Sequence, residues 1–288
     1  MPPMAAIVVA IVAVSTSAIL IRLSEAPSMI KAFYRALFMT ALILPFAREY
    51  RSDFQEVSRR DWGFALLSGL ALAVHFAAWF ESLDWTSVAA SVTLVQTQPI
   101  FVTVAAWLLL DEHLNARMVG GILVALLGST VMSAAGLLGG SVVGADPLRG
   151  NLLALVGALM AAGYVLAGRS LRQRLSLVPY VLVVYGVSTV ALFGFVLFQG
   201  HPLFAYPPRE WLLFLAMAVG PGLFGHTLIN WSLKYVESSV VSVSLLGEPV
   251  GSALLALFIF AEVPGVATLV GGSVVLLGIF VTSRARRT

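Results

Sequence analysis

Apolar residues are gathered into ten long runs, and most polar residues fall in the short stretches between them. The runs are Met4–Ile21, Met29–Leu44, Trp62–Phe80, Val88–Leu110, Met118–Leu138, Leu152–Gly168, Val178–Phe198, Trp211–Trp231, Val240–Phe260 and Val266–Val281. A helix needs about 20 apolar residues to cross the hydrocarbon core of a bilayer. The pattern therefore predicts an all-α integral membrane protein with ten transmembrane helices, and little chain remains for a soluble domain. The first run does not read as a cleaved signal peptide, because Met1–Ala6 carries no positive side chain and no clear small-residue cleavage site follows.

Two runs share an unusual feature. Pro99 interrupts the fourth near its middle and Pro249 interrupts the ninth, 150 positions later. A proline removes one backbone donor and clashes with the carbonyl four residues back. The expectation is that the carbonyls of Val95 and Leu245 are loosened and face protein, water or cargo, since an unsatisfied group in hydrocarbon costs several kcal/mol. Such a kink can equally serve helix packing alone. The shift of 150 also aligns Glu112 with Glu262, Gly121 with Gly271 and Gly128 with Gly278. Gly121 and Gly128, like Gly271 and Gly278, are seven residues apart and share a helix face, which suits close helix packing. The chain thus reads as two five-span repeats, 1–145 and 146–288. Five is odd, so the second enters the membrane inverted, a plan characteristic of secondary transporters with a site near the midplane.

"PIFVTVAAWLLLDE" and "EPVGSALLALFIFAE" resemble the EamA-type repeat of the drug/metabolite transporter superfamily, and "RALFMTALILP" resembles that family's arginine-bearing second helix. Within the superfamily the chain looks most like the YddG-type exporters of aromatic amino acids. The resemblance implies a ten-helix exporter working by alternating access on aromatic or bulky neutral amino acids. A broader drug or metabolite exporter is the alternative. Gln98 stands where the second half has Glu248, which departs from the "EP" form.

Polar side chains inside the runs supply the candidate chemistry. Ser68, Leu72, His75, Trp79 and Ser82 lie on one stripe of the third span. His75 on that stripe is either a cargo ligand or an interhelical donor. The eighth span offers His226 and Asn230, four apart, and the ninth adds Ser244. In the fourth, Thr93, Gln96, Thr97 and Thr103 share a side, and the Gln96 amide can bond a carboxylate or an amine. Tyr164 in the sixth span can stack on a ring, and with Trp79 it is expected to bracket an aromatic cargo. Glu248 is a mid-span acid, so it reads as a proton carrier, an amine ligand or a structural acceptor. Arg35, seven residues into its span, can snorkel outward or meet a carboxylate. "VGPGLFG", Val219 to Gly225, contains Gly220, Pro221 and Gly222 and is expected to be a hinge or a static kink in the eighth span.

Charge settles orientation. With the N-terminus inside, 12 Lys and Arg fall on inward segments (Arg48, Arg51, Arg59, Arg60, Arg117, Arg169, Arg172, Arg174, Lys234, Arg284, Arg286 and Arg287) and 4 on outward ones (Arg22, Lys31, Arg149 and Arg209). This bias predicts both termini in the cytoplasm of a bacterial cell whose inner membrane holds the chain. It also accounts for the net charge of +3 without a nucleic-acid partner. The expected partners are a small-molecule substrate and lipid, with the chain acting as a monomer. No G-x-x-x-x-G-K-[ST] loop, H-E-x-x-H pair or nucleophile elbow occurs, so neither ATP-driven transport nor an intramembrane enzyme is expected. No cofactor or metal is implied, and the sequence holds no cysteine. With one mid-span acid and Gln98 at the matching position, cargo is expected to move down its own gradient.

Overall fold

Helices coincide with the apolar runs, and several of them are interrupted part-way. The computed structural model describes residues 2–110, 115–134, 144–236, 241, 244–245 and 247–285. The first run forms α1 (Pro3–Ser15) and α2 (Ser17–Leu23), with Thr16 between them. The second is α3 (Ser28–Ile43), prolonged by a 3₁₀ turn over Leu44–Arg48, and a short surface helix α4 (Arg51–Glu56) follows. The third is α5 (Arg59–Trp85). The fourth is split into α6 (Val88–Val95) and α7 (Gln98–Leu110). Next come α8 (Ala116–Ala134), α9 (Pro147–Arg172) and α10 (Leu177–Gln199). The eighth run is α11 (Pro208–Met217), a π-helical segment (Ala218–Thr227) and α12 (Leu228–Ser232). The last two are α13 (Gly247–Phe260) and α14 (Val266–Ala285).

Six of these spans are long and apolar enough to cross a bilayer, and four shorter apolar helices account for the other runs. No strand occurs among the described residues. The protein is therefore an all-α, multi-pass membrane protein. Large apolar side chains stand outward in helical register: Leu66, Leu67 and Leu70 on α5, Leu152, Val156 and Leu159 on α9, and Leu254, Leu257 and Phe258 on α13. In water such surfaces would drive association, whereas in lipid they are the solvent-facing side.

Starts and stops follow the local chemistry. Ser58 Oγ accepts from the Asp61 N–H at 3.1 Å, Ser87 Oγ from the Ala90 N–H at 3.0 Å, and Asp146 Oδ1 from the Arg149 N–H at 3.1 Å. These are helix N-caps that satisfy donors left over at the first turn. Gly200 ends α10 in the left-handed region at φ 70°.

Packing divides the bundle. α5 lies against α9, α10 and α3, and α1 lies against the π segment and α13. Their shared core includes Met39, Leu72, Phe76, Phe80, Tyr180, Tyr185 and Phe214. Away from it, α8 and α14 meet backbone to backbone. A methyl group on Gly128 would sit 2.6 Å from the Gly271 carbonyl oxygen, and one on Gly278 would sit 2.5 Å from that of Gly121. The four glycines of the sequence register thus face each other in two reciprocal pairs. Small residues let helices approach where lipid offers no hydrophobic drive for association.

The "VGPGLFG" stretch forms the π segment rather than a simple kink. Pro221 cannot donate to the helix ladder, and the wider turn accommodates it. A methyl on Gly222 would lie 2.8 Å from Met39 Sδ, and one on Gly225 would lie 2.7 Å from Val14 Cγ1. Gly220 is roomier, with Thr16 Oγ1 at 3.8 Å.

Gly128→Ala and Gly278→Ala should each destabilise the protein by about 1–3 kcal/mol through overpacking. Gly220→Ala should change little. Thermal unfolding in detergent reads the difference, and equal shifts for all three would contradict the packing account.

Candidate functional site

Three helix interruptions lie around one interior space, and at the first two a hydroxyl caps a backbone carbonyl. Ser15 Oγ donates to the Ile11 carbonyl at 2.8 Å and Thr16 Oγ1 to the Ala13 carbonyl at 2.7 Å. At the α6–α7 break, Thr97 Oγ1 donates to the Leu94 carbonyl at 2.7 Å, while the Thr97 N–H reaches the same oxygen at 3.0 Å. The Thr227 hydroxyl, at the end of the π segment, lies 3.1 Å from Tyr185 Oη. Polar backbone in a membrane must find such partners or line a cavity.

The breaks aim side chains at the space between them. Among the described residues, the cavity is bordered by Ser17 and Arg35 from α2 and α3, His75 and Trp79 from α5, and Gln96 and Gln98 from the α6–α7 break. Tyr164 on α9, His226 in the π segment and Glu248 on α13 complete its polar and aromatic lining. Val14, Val95, Ala161, Val165, Ile229 and Leu245 supply apolar wall.

Four of the lining side chains form a row of rings. His75 stacks on Trp79 with centroids 5.8 Å apart, and it lies 6.2 Å from His226, which lies 6.0 Å from Tyr164. His75 Nδ1 is 2.9 Å from the Gly157 carbonyl oxygen. A carbonyl only accepts, so Nδ1 carries the hydrogen, and in the neutral ring Nε2 is the acceptor. Trp79 Nε1 is buried without a partner.

The lining also carries charged side chains, Arg35 and Glu248. Gln96 Nε2 donates to Glu248 Oε2 at 2.5 Å, joining the two proline-bearing spans. Arg35 is fully buried, donates from Nη1 to Ser17 Oγ at 2.8 Å, and lies over the Phe76 ring at 4.5 Å.

Several expectations need correction. Arg35 does not snorkel outward; its guanidinium is turned into the bundle and held over Phe76 and Phe80. The Leu245 carbonyl is not free, because it accepts from the Glu248 N–H at 2.9 Å in a tightened turn. Trp79 and Tyr164 are joined through His75 and His226, each ring packed against the next. Asn230 is not among the lining residues; its amide donates to Tyr164 Oη and, at 2.8 Å, to the His226 carbonyl, so it holds two residues that are. Ser244 is half-buried and is not among the lining residues either. Glu112 and the side chain of Thr103 lie outside the described residues.

Sequence reasoning did not single out Ser17, and it noted Gln98 only as a departure from the repeat's "EP" form, not as a lining residue. A signal for Ser17 was present in the polar triplet Ser15-Thr16-Ser17, set in the middle of an apolar run. Glu262 was seen only as a repeated letter. Its carboxylate accepts the Val88 N–H at 2.8 Å and pairs with Arg22 at 3.4 Å. Arg22 also donates to the Leu83 and Thr86 carbonyls at 2.6 and 2.5 Å. Ala261, at φ 52°, turns the chain out of α13 and sets Glu262 in place. The same end of the bundle holds Lys31–Asp84 at 3.6 Å and Arg149–Glu81 at 3.5 Å. Ionic and carbonyl contacts therefore cross-link this end.

Comparison with known proteins places this geometry. The EamA-like transporter family model matches residues 2–134 and 148–284. An uncharacterized transporter of Archaeoglobus fulgidus is 24% identical over 257 residues, covering 88% of this chain and 86% of its own. The pseudopaline exporter CntI of Pseudomonas aeruginosa is 24% identical over 255 residues, with the same coverage of 88% and 86%. A solved crystal structure superposes with a TM-score of 0.67 at 20% identity, covering 99% of this chain and 97% of that one.

Gln96→Leu should leave Glu248 Oε2 without its donor, at a cost of about 1–3 kcal/mol for a buried acceptor. Pairing it with Glu248→Met should recover part of that loss. A thermal-unfolding double-mutant cycle reads the coupling. Simple additivity of the two changes would show that the contact holds nothing together.

Proposed function

The chain belongs to the EamA-like transporter family, and from that premise we propose that it exports aromatic or bulky neutral amino acids across the bacterial inner membrane by alternating access. The observation that carries this reading is the row of Trp79, His75, His226 and Tyr164 in the lining of a cavity that Arg35 and Glu248 also border. Rings prefer to pack against rings, with about 0.5–1.5 kcal/mol beyond area burial. The polar lining groups would hold the amino-acid backbone.

In this proposal residues 1–145 and 146–288 are inverted five-helix repeats, and both termini are cytoplasmic, as the Lys and Arg bias requires. The end cross-linked by Arg22 and Glu262 then faces the periplasm. The chain works as a monomer, and cargo moves down its own gradient. Glu248 supports the last point, since its carboxylate is engaged by Gln96. The π segment supplies the bend by which the outer and inner openings alternate, because π turns and glycine weaken the helix locally.

A second reading, a broader metabolite exporter, is favoured by the likeness to the pseudopaline exporter. It uses the same cavity for larger cargo. A panel of labelled solutes in proteoliposomes separates the two readings.

Trp79→Ala should lower phenylalanine counterflow about tenfold, the equivalent of about 1.4 kcal/mol, while alanine counterflow, if measurable, should change little. Equal loss for every solute would mean the ring row does not select cargo.

A further inference from the structure

Among the described residues, Arg35 is a buried charged side chain with two donor atoms that the fold around it does not use. It has no solvent exposure, although it sits on a membrane-spanning helix. One face of its guanidinium is covered by Phe76 at 4.5 Å and Phe80 at 5.5 Å. One terminal nitrogen, Nη1, donates to Ser17 Oγ at 2.8 Å. The remaining two nitrogens, Nε and Nη2, are buried and without a hydrogen-bond partner. Arg35 makes no ion pair among the described residues.

Those two atoms form one edge of the guanidinium, with their N–H bonds nearly parallel. This fork matches the two oxygens of a carboxylate, and the bidentate pair is the strongest ordinary use of an arginine. A buried cation whose donors are left unmade carries a penalty of several kcal/mol. Phe76 and Ser17 leave the group little freedom to turn elsewhere, and Arg35 borders the central cavity. The orphaned edge is thus a binding feature held ready.

We propose that the Nε–Nη2 edge of Arg35 is the docking point for the carboxylate of the cargo, so that the transported class is carboxylate-bearing, with α-amino acids as the members that also place an ammonium group in the cavity bordered by Glu248. This rests on the reading of the chain as an amino-acid exporter but is separable from its preference for rings. Ser17 is the positioning residue, because its hydroxyl holds Nη1 and so limits how the Nε–Nη2 edge can turn. A cargo lacking a carboxylate leaves both donors unmade and gains none of the charge-assisted bonding.

The test uses the purified full chain in detergent, with affinity read by titration calorimetry for L-phenylalanine, phenylalaninamide, phenylethylamine and L-leucine. L-phenylalanine should bind at least about tenfold more tightly than the amide or the amine, as expected for loss of a charge-assisted pair. In Arg35→Gln that preference should fall toward unity, and Arg35→Lys should restore part of it. The wild-type comparison needs no variant and stands even if a substituted chain fails to fold. If the wild-type chain binds phenylethylamine as tightly as L-phenylalanine, if it binds neither amino acid, or if folded Arg35→Gln keeps the preference, the proposal is overturned. If L-leucine matches L-phenylalanine while the carboxylate preference holds, the docking point is supported and the aromatic preference alone fails.

Discussion

A backbone donor or acceptor that loses its helix partner inside hydrocarbon has no water to turn to. That constraint governs where this chain can break its helices. The breaks at Thr16 and at Gln96–Thr97, and the π segment around Pro221, all lie in the interior beside one cavity. At the first two the exposed groups are taken up locally, by Thr16 on the Ala13 carbonyl and Thr97 on the Leu94 carbonyl. Each break also releases a neighbouring side chain from the regular helix face. Ser17, Gln96 and His226 reach the cavity for this reason. The positions that cost the fold most are therefore those that give it a binding chamber.

The rest of the bundle makes those breaks tolerable. Where α8 and α14 meet, glycine carbonyls stand where a methyl group would have to go, and the helices pack without large side chains between them. At one end, Arg22, Glu262 and the carbonyls of Leu83 and Thr86 tie α2 and the turn after α13 to the α5–α6 corner. The interrupted segments hold contacts of their own as well: Asn230 donates to Tyr164 and to the His226 carbonyl, and Gln96 donates to Glu248.

Much of this was legible in the sequence because its causes are local. Apolar runs of membrane length predicted the spans, and proline and glycine marked the fourth and eighth as irregular. The glycine register at positions 121, 128, 271 and 278 forecast close helix packing. What escaped depends on geometry between distant segments. No proline marks the break at Thr16, so Ser17 looked like any small polar residue. Arg35 could have pointed either way from its helix, and only the placement of Phe76 and Ser17 turns it inward. Asn230 shares a face with His226, yet its amide is spent on Tyr164 rather than on the cavity. Leu245 shows the limit of the proline argument, since a three-residue turn claims the carbonyl that Pro249 would otherwise leave open.

The central claim is that the cavity bounded by the broken helices receives cargo. Ala161, on its wall, is small and buried, and the chain has no native cysteine. Ala161→Cys can therefore be labelled with a membrane-impermeant maleimide in oriented proteoliposomes, with and without L-phenylalanine. The account predicts labelling that cargo slows severalfold in a concentration-dependent way. Labelling at a rate that no amino acid in the panel alters would contradict it.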